Sequence, residues 1–337
     1  MKLRKLHIED YKMFKDFDIS FVDENDEALP IVVLAGVNGS GKTSLLTSIL
    51  KLDFPLKTKK NKLINWLELS SDGKIHNSKN EECIIGTVYG EANLSLDEVK
   101  NLLPEYLNKI VWGEDVLASV AFERVRNDIN NFFKSLNINI EFDSRDGEGN
   151  LFFRNKSGVD KFLIDELSTG EKTLMSKVLY LYLKDIKDKI ILIDEPELSL
   201  HPSWQNKVLK IYENFALKNN CQIIIATHSP HIIGSAKNEY LRFLRKDDEG
   251  NIEVVDNITA YGRDIEWILE EMGVADTRLP KITKRFEEIQ ELINNREFDE
   301  ADDELDKLEY VIGDNDKGIL TLRNDLAFER MDLEEDS

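Results

Sequence analysis

The sequence predicts an α/β fold, a parallel sheet crossed by helices, on three observations. The apolar run Ile31-Val32-Val33-Leu34 leads into a glycine-rich segment and then a helical pattern. A second apolar strand, from Lys189 to Ile193, ends in the paired carboxylates Asp194 and Glu195. A third, Gln222 to Ala226, ends in Thr227-His228-Ser229-Pro230, and helical stretches separate the runs. Strands apolar on both faces belong inside a parallel sheet, and their alternation with helices implies crossovers. The expectation is a parallel core sheet with flanking helices, a mixed β lobe, a short helical insert and an α-helical tail.

Taken in order, residues 2–9 and 16–22 read as two strands around the turn Tyr11-Lys12-Met13-Phe14. An acidic loop, Asp23 to Glu27, precedes the first core strand, and a helix runs on to about Lys51. Residues 82–90 read as a strand. Apolar spacing turns helical from Leu96 to Leu136 without a sustained heptad repeat. Ile138 to Phe142 and Leu151 to Phe153 flank the turn Asp146-Gly147-Glu148-Gly149-Asn150, a hairpin. A second hairpin is expected around Asp247 to Asn251, followed by acidic helices near 264–272, 280–295, 298–312 and 316–330. These patterns suggest a head over residues 1–245, with an insert at about 55–160, and a helical region over 246–337.

The 337 residues, 41% apolar, are ample for a buried core. A net charge of −21 excludes a generally basic nucleic-acid coat. Any such contact falls to a local patch such as Lys57-Thr58-Lys59-Lys60-Asn61-Lys62, which also reads as a solvated loop. Cys83 and Cys221 lie in apolar strand-like runs and read as core residues of a reducing compartment. No signal peptide and no run of about eighteen apolar residues is visible, so the expectation is a cytoplasmic protein with no membrane partner.

The glycine-rich segment is Gly36-Val37-Asn38-Gly39-Ser40-Gly41-Lys42-Thr43-Ser44. A strand before it and a helix after it turn this G-x-x-x-x-G-K-T pattern into a phosphate site, a P-loop or Walker A motif. Its glycines let backbone N–H groups point inward at a phosphate, and the helix N-terminus adds positive charge. Lys42 reaches the β- and γ-phosphates of ATP, and the Thr43 hydroxyl is placed to ligate Mg²⁺. Asp194 and Glu195 form a Walker B motif, in which Asp194 holds Mg²⁺ and Glu195 orients the attacking water.

Leu167-Ser168-Thr169-Gly170-Glu171, shortly before Walker B, resembles the ABC-type signature, and Glu197-Leu198-Ser199-Leu200-His201-Pro202 fits the D-loop of the same class. The whole set resembles the ABC-type ATPase heads of the RecF, SMC and OLD group. The stretch Asp194 to Pro202, followed by Trp204-Gln205, and the tail around Tyr261-Gly262-Arg263-Asp264-Ile265 are most similar to the PtuA subunits of Septu and certain retron systems. The resemblance implies that His228 is the switch histidine sensing the γ-phosphate. It implies that two heads sandwich two ATP molecules, each held by Lys42 of one chain and by Ser168, Gly170 and Glu171 of another. It also implies a separate HNH-type nuclease partner (PtuB-like), through which the complex meets nucleic acid, and in retrons a reverse transcriptase with its non-coding DNA. No nuclease residues are found in this chain itself.

Three departures from the family pattern stand out. The signature reads Ser-Thr-Gly-Glu, no glutamine lies between Walker A and the signature, and the long SMC coiled coil is absent. The resemblance implies an ATP-binding and ATP-hydrolysing subunit of an anti-phage defence complex. The alternatives are a RecF-like DNA repair or replication ATPase, kept open by Lys57–Lys62, and a nucleotide-gated scaffold with negligible turnover, suggested by the missing glutamine.

Overall fold

The computed structural model describes residues 2–50, 66–71, 74–78, 87–90, 96–135, 139–156, 158, 160–167, 169–184, 186–198, 200–255, 258–274 and 278–335. The chain divides into two compact units, Met1–Gly273 and Val274–Ser337.

In the first unit, β1 (Lys2–Tyr11) and β2 (Phe14–Ser20) form an antiparallel hairpin whose two-residue turn puts Lys12 at φ 54°. The core strand β3 (Ile31–Ala35) is wholly buried and feeds α1 (Lys42–Leu50). Next come β4 (Trp66–Ser71), β5 (Lys74–Ser78) and β6 (Thr87–Gly90). β4 pairs with β1, Lys2 opposite Ser70, giving a four-stranded sheet in the order β2-β1-β4-β5. Residues 66–78 therefore belong to the β lobe and not to the insert expected from about residue 55, because they complete the free edge of β1. The Lys57–Lys62 cluster, Cys83 and the first part of the strand expected at 82–90 lie outside the described residues.

The spatial insert begins with α2 (Leu96–Glu114) and α3 (Ala118–Ser135), a helical hairpin where one helical stretch was expected. The break falls at Asp115, in left-handed backbone at φ 53°. A three-stranded antiparallel sheet follows, β7 (Ile140–Arg145), β8 (Leu151–Asn155) and β9 (Lys161–Leu163). Phe133, Phe142 and Phe153 pack between α3 and this sheet, with ring centroids of Phe142 and Phe153 5.4 Å apart.

The chain then returns to the core through α4 (Thr169–Leu183), β10 (Ile190–Asp194), α5 (Pro202–Lys218), β11 (Gln222–Thr227), α6 (Pro230–Ser235), β12 (Leu241–Lys246) and β13 (Ile252–Val255). The central sheet has the order β13-β12-β3-β11-β10-β6, parallel except for the edge strand β13. Its strands β3 and β11 are buried along their length and β10 up to Asp194, which is why their sequences lack alternation. The buried Gln222 side chain accepts from the Leu3 amide (2.7 Å) and donates to the Leu3 and Leu29 carbonyls, tying β11 to the β lobe. Arg242 donates to the Ser20 and Val22 carbonyls from β12. The boundary expected at 245 falls inside β12, so the head continues through β13 and α7 (Ile265–Glu271), whose N-cap is Asp264.

The second unit is a three-helix bundle, α8 (Pro280–Asn294), α9 (Phe298–Ile312) and α10 (Lys317–Glu335). Ile289, Ile293, Ala301, Leu305, Leu308, Ile319, Leu322 and Leu326 form its own core. No helix among the described residues is long and apolar enough to cross a membrane.

Candidate functional site

Neighbouring parallel strands end at the same edge of a sheet, and that is how this chain assembles its chemistry. β3, β11 and β10 lie side by side, with Ala35 opposite Thr227 and Ala226 opposite Asp194. The glycine-rich loop after β3, the carboxylates ending β10 and the His228 segment after β11 thus meet at one place, the edge where α/β sheets bind ligands.

In the loop, Gly36 sits at φ 149° and Gly41 at φ 88°. A Cβ on Gly36 would lie 2.4 Å from the Leu244 carbonyl oxygen. One on Gly41 would meet Phe14, Ile252 and Met13 at 3.0–3.3 Å, so the β1–β2 turn and β13 press the loop from outside. Asn38 and Gly39 are exposed and Ser40 is buried. At the start of α1, Thr43 is exposed and Ser44 half-buried. The buried Lys42 ammonium donates to the carbonyls of Gly36 (2.7 Å) and Val37 (2.8 Å). Burial pulls its pKa below the usual lysine value, while Glu195, Asp194 and Glu197 act the other way. Three carboxylates of the β10 end thus bear electrostatically on the loop lysine.

Asp194 closes β10, and the Glu195 amide donates to the Ala226 carbonyl at 2.8 Å. Glu195 then adopts φ 47°, a left-handed conformation costly for a residue with a Cβ. His228 Nδ1 stands 3.4 Å from Oε1 of Glu195 and 3.5 Å from Oε1 of Glu197. Glu195 and His228 side chains are each more than a third exposed, whereas Glu197 is buried.

Sequence reasoning placed Glu197 only in the D-loop and missed its function here. Its Oε1 accepts from the Thr227 hydroxyl (2.7 Å) and the His228 amide (3.1 Å), which ties the carboxylate turn to the histidine segment. Ser229 caps α6 and donates to Gln205 Oε1 (2.6 Å), and Gln205 in turn donates to the Leu200 carbonyl. Lys177, buried on α4, was missed as well, since a helical pattern does not show a charge aimed into the core. His201 is an N-cap, accepting from the Ser203 amide. Of the predicted signature residues, Ser168 lies outside the described residues. Gly170 stands half-buried in the first turn of α4, and Glu171 follows it on the same helix.

This arrangement suits a nucleoside triphosphate and Mg²⁺. At Gly36 and Gly41 the loop has no room for a side chain, and among the described residues the Lys42 ammonium is held by the Gly36 and Val37 carbonyls and Ser40, which phosphate oxygens can replace. Thr43 and Asp194 offer the hard oxygen donors that Mg²⁺ takes.

Comparison with known proteins points the same way. An AAA ATPase domain family model matches residues 1–157. A second AAA domain model, whose description also names the AbiEii toxin and type IV TA systems, matches residues 92–234. The Septu protein PtuA of Bacillus thuringiensis is 31% identical over 128 residues, 36% of this chain and 32% of that protein. PtuA of Bacillus mycoides (strain KBAB4) is 22% identical over 382 residues, covering 98% of this chain and 53% of its own length. This chain therefore spans only about a third to a half of those relatives. The SMC head domain from Thermotoga maritima superposes with a TM-score of 0.51 at 18% identity, over 77% of this chain and all of that one, which shows the fold. In fold the chain is similar to the SMC head, and in sequence it is similar over parts of its length to AAA ATPase domains and to the PtuA proteins.

Proposed function

We propose that this chain is the ATP-binding and ATP-hydrolysing subunit of an anti-phage defence complex, whose heads pair on ATP and so control a separate HNH-type nuclease. The observation that carries the ATPase reading is the meeting of Lys42, Asp194, Glu195 and His228 at one sheet edge. The similarity to the PtuA proteins supports the defence setting.

In this mechanism the loop amides and Lys42 hold the triphosphate and offset its charge. Thr43 and Asp194 would hold Mg²⁺, which would supply charge neutralisation on the triphosphate. Glu195 orients a water and takes its proton, and His228, whose Nδ1 stands 3.4 Å from that carboxylate, senses the γ-phosphate. Ser168, Gly170 and Glu171 complete the site of a second chain through the α4 N-terminus.

The bundle of residues 274–337 is the proposed docking surface for the nuclease subunit. It carries twenty Asp and Glu against nine Lys and Arg, and Tyr310, Leu320, Phe328 and Met331 are exposed on it. A basic partner surface with apolar anchors suits such a face. Co-expression with a PtuB-like HNH nuclease tests this. Full-length chain should co-purify with the nuclease, and a chain ending at Gly273 should lose it while still binding ATP. Co-purification by the shortened chain would move the docking surface to the head.

A further inference from the structure

Lys177 is buried on α4, two helical turns beyond the segment read as the signature, and its ammonium donates to the carbonyl of Pro196 at 2.9 Å. Pro196 joins Glu195, the proposed water-orienting residue, to Glu197. Glu197 is itself buried, and its Oε1 holds the Thr227 hydroxyl and the His228 amide. Its other oxygen, Oε2, is buried with no hydrogen-bond partner among the described residues. Glu197 is also the carboxylate whose attraction offsets the burial that draws Lys177 down to about 8. A buried ammonium thus holds the Pro196 carbonyl, and the buried carboxylate of the next residue holds the His228 segment.

Stability alone does not account for this pair. Apolar side chains would fill the same space without desolvating an ammonium and a carboxylate, an exchange that is commonly neutral or favourable. What apolar residues cannot do is fix the Pro196 carbonyl and the His228 amide in place. We infer that Lys177 and Glu197 are positioning residues, a buried link through which the placement of the α4 N-terminus sets the orientation of Glu195 and His228.

The link rests on the ATPase reading of the site and adds a direction to it. An α-helix is stiff over the roughly 12 Å between Thr169 and Lys177. A phosphate gripped at the α4 N-terminus therefore moves Lys177, and with it the turn that carries Glu195. Glu195 already stands in left-handed backbone, where a small shift of the Pro196 peptide re-aims its side chain. Each head thereby senses whether its signature is engaged before its own carboxylate is aligned.

The test uses the full chain with Lys177→Met, Glu197→Gln and the double substitution, and Glu195→Gln as control. Turnover and nucleotide affinity are measured together with hydrogen exchange at the His228 amide. Each single variant should lower kcat about tenfold and leave the KM for ATP within about twofold. Exchange at His228 should speed up by a similar factor, and the double variant should lose less than the product of the single losses. Either single variant suffices if the other fails to fold. Wild-type turnover matching Glu195→Gln would defeat the ATPase reading alone, because the exchange measurement still decides the link. An active wild type with unchanged kcat and unchanged His228 exchange in a folded variant would overturn the link alone. Independent losses in the double variant would overturn the pairing of Lys177 with Glu197.

Discussion

In the proposed mechanism Lys42 and Glu195 act by opposite means. Lys42 is drawn in and held on loop carbonyls with three carboxylates bearing on it, while Glu195 stays partly open in a strained backbone. Lys42→Ala should weaken ATP binding by tenfold or more, read by titration with a fluorescent ATP analogue. Unchanged affinity would remove the glycine-rich loop from nucleotide binding. Glu195→Gln should leave binding intact and cut phosphate release by about 10²-fold or more. These two residues were legible in the sequence because Glu195 directly follows a buried strand and Lys42 closes the glycine-rich segment between a buried strand and a helix. Glu197 and Lys177 were not, since a lone charge in a helical or loop pattern reads as solvent-facing until its neighbours are known.

At the scale of elements, α5 is fastened to the chain entering β12 by the buried Glu213. It accepts from Tyr240 (2.7 Å) and Lys237 (3.0 Å) and pairs with Lys210. Burial alone would raise its pKa, but these donors outweigh burial and bring it down to about 2. A carboxyl held below its ordinary value of 4.5 stabilises the fold fully above that pH. The contribution is lost as pH falls through 4.5 toward about 2. Glu213→Gln should therefore cost about 2 kcal/mol at neutral pH. The gap between wild type and variant should close below pH 4, as read by urea denaturation across the acid range. A constant gap would contradict the hydrogen-bonded carboxylate. Strand and helix order was legible because buried strands lack alternation and Asp264, Ser229 and Pro202 mark helix starts. The pairing of β4 with β1 was not, because the registering partners stand some sixty residues apart and neither strand's local sequence names the other.

For the molecule as a whole, two units with separate cores imply separable stability. A chain ending at Gly273 should keep its ATP affinity within about twofold, measured by the same titration. A large loss would mean that the head needs the bundle to fold. The central claim is larger: one chain supplies Lys42, Asp194 and Glu195, and a second supplies the signature that completes the site. It is tested most directly by determining the structure of the Glu195→Gln protein with ATP and Mg²⁺. The account predicts two chains face to face, each triphosphate touched by Lys42 of one and Ser168 of the other. A triphosphate whose contacts all come from a single chain would contradict it.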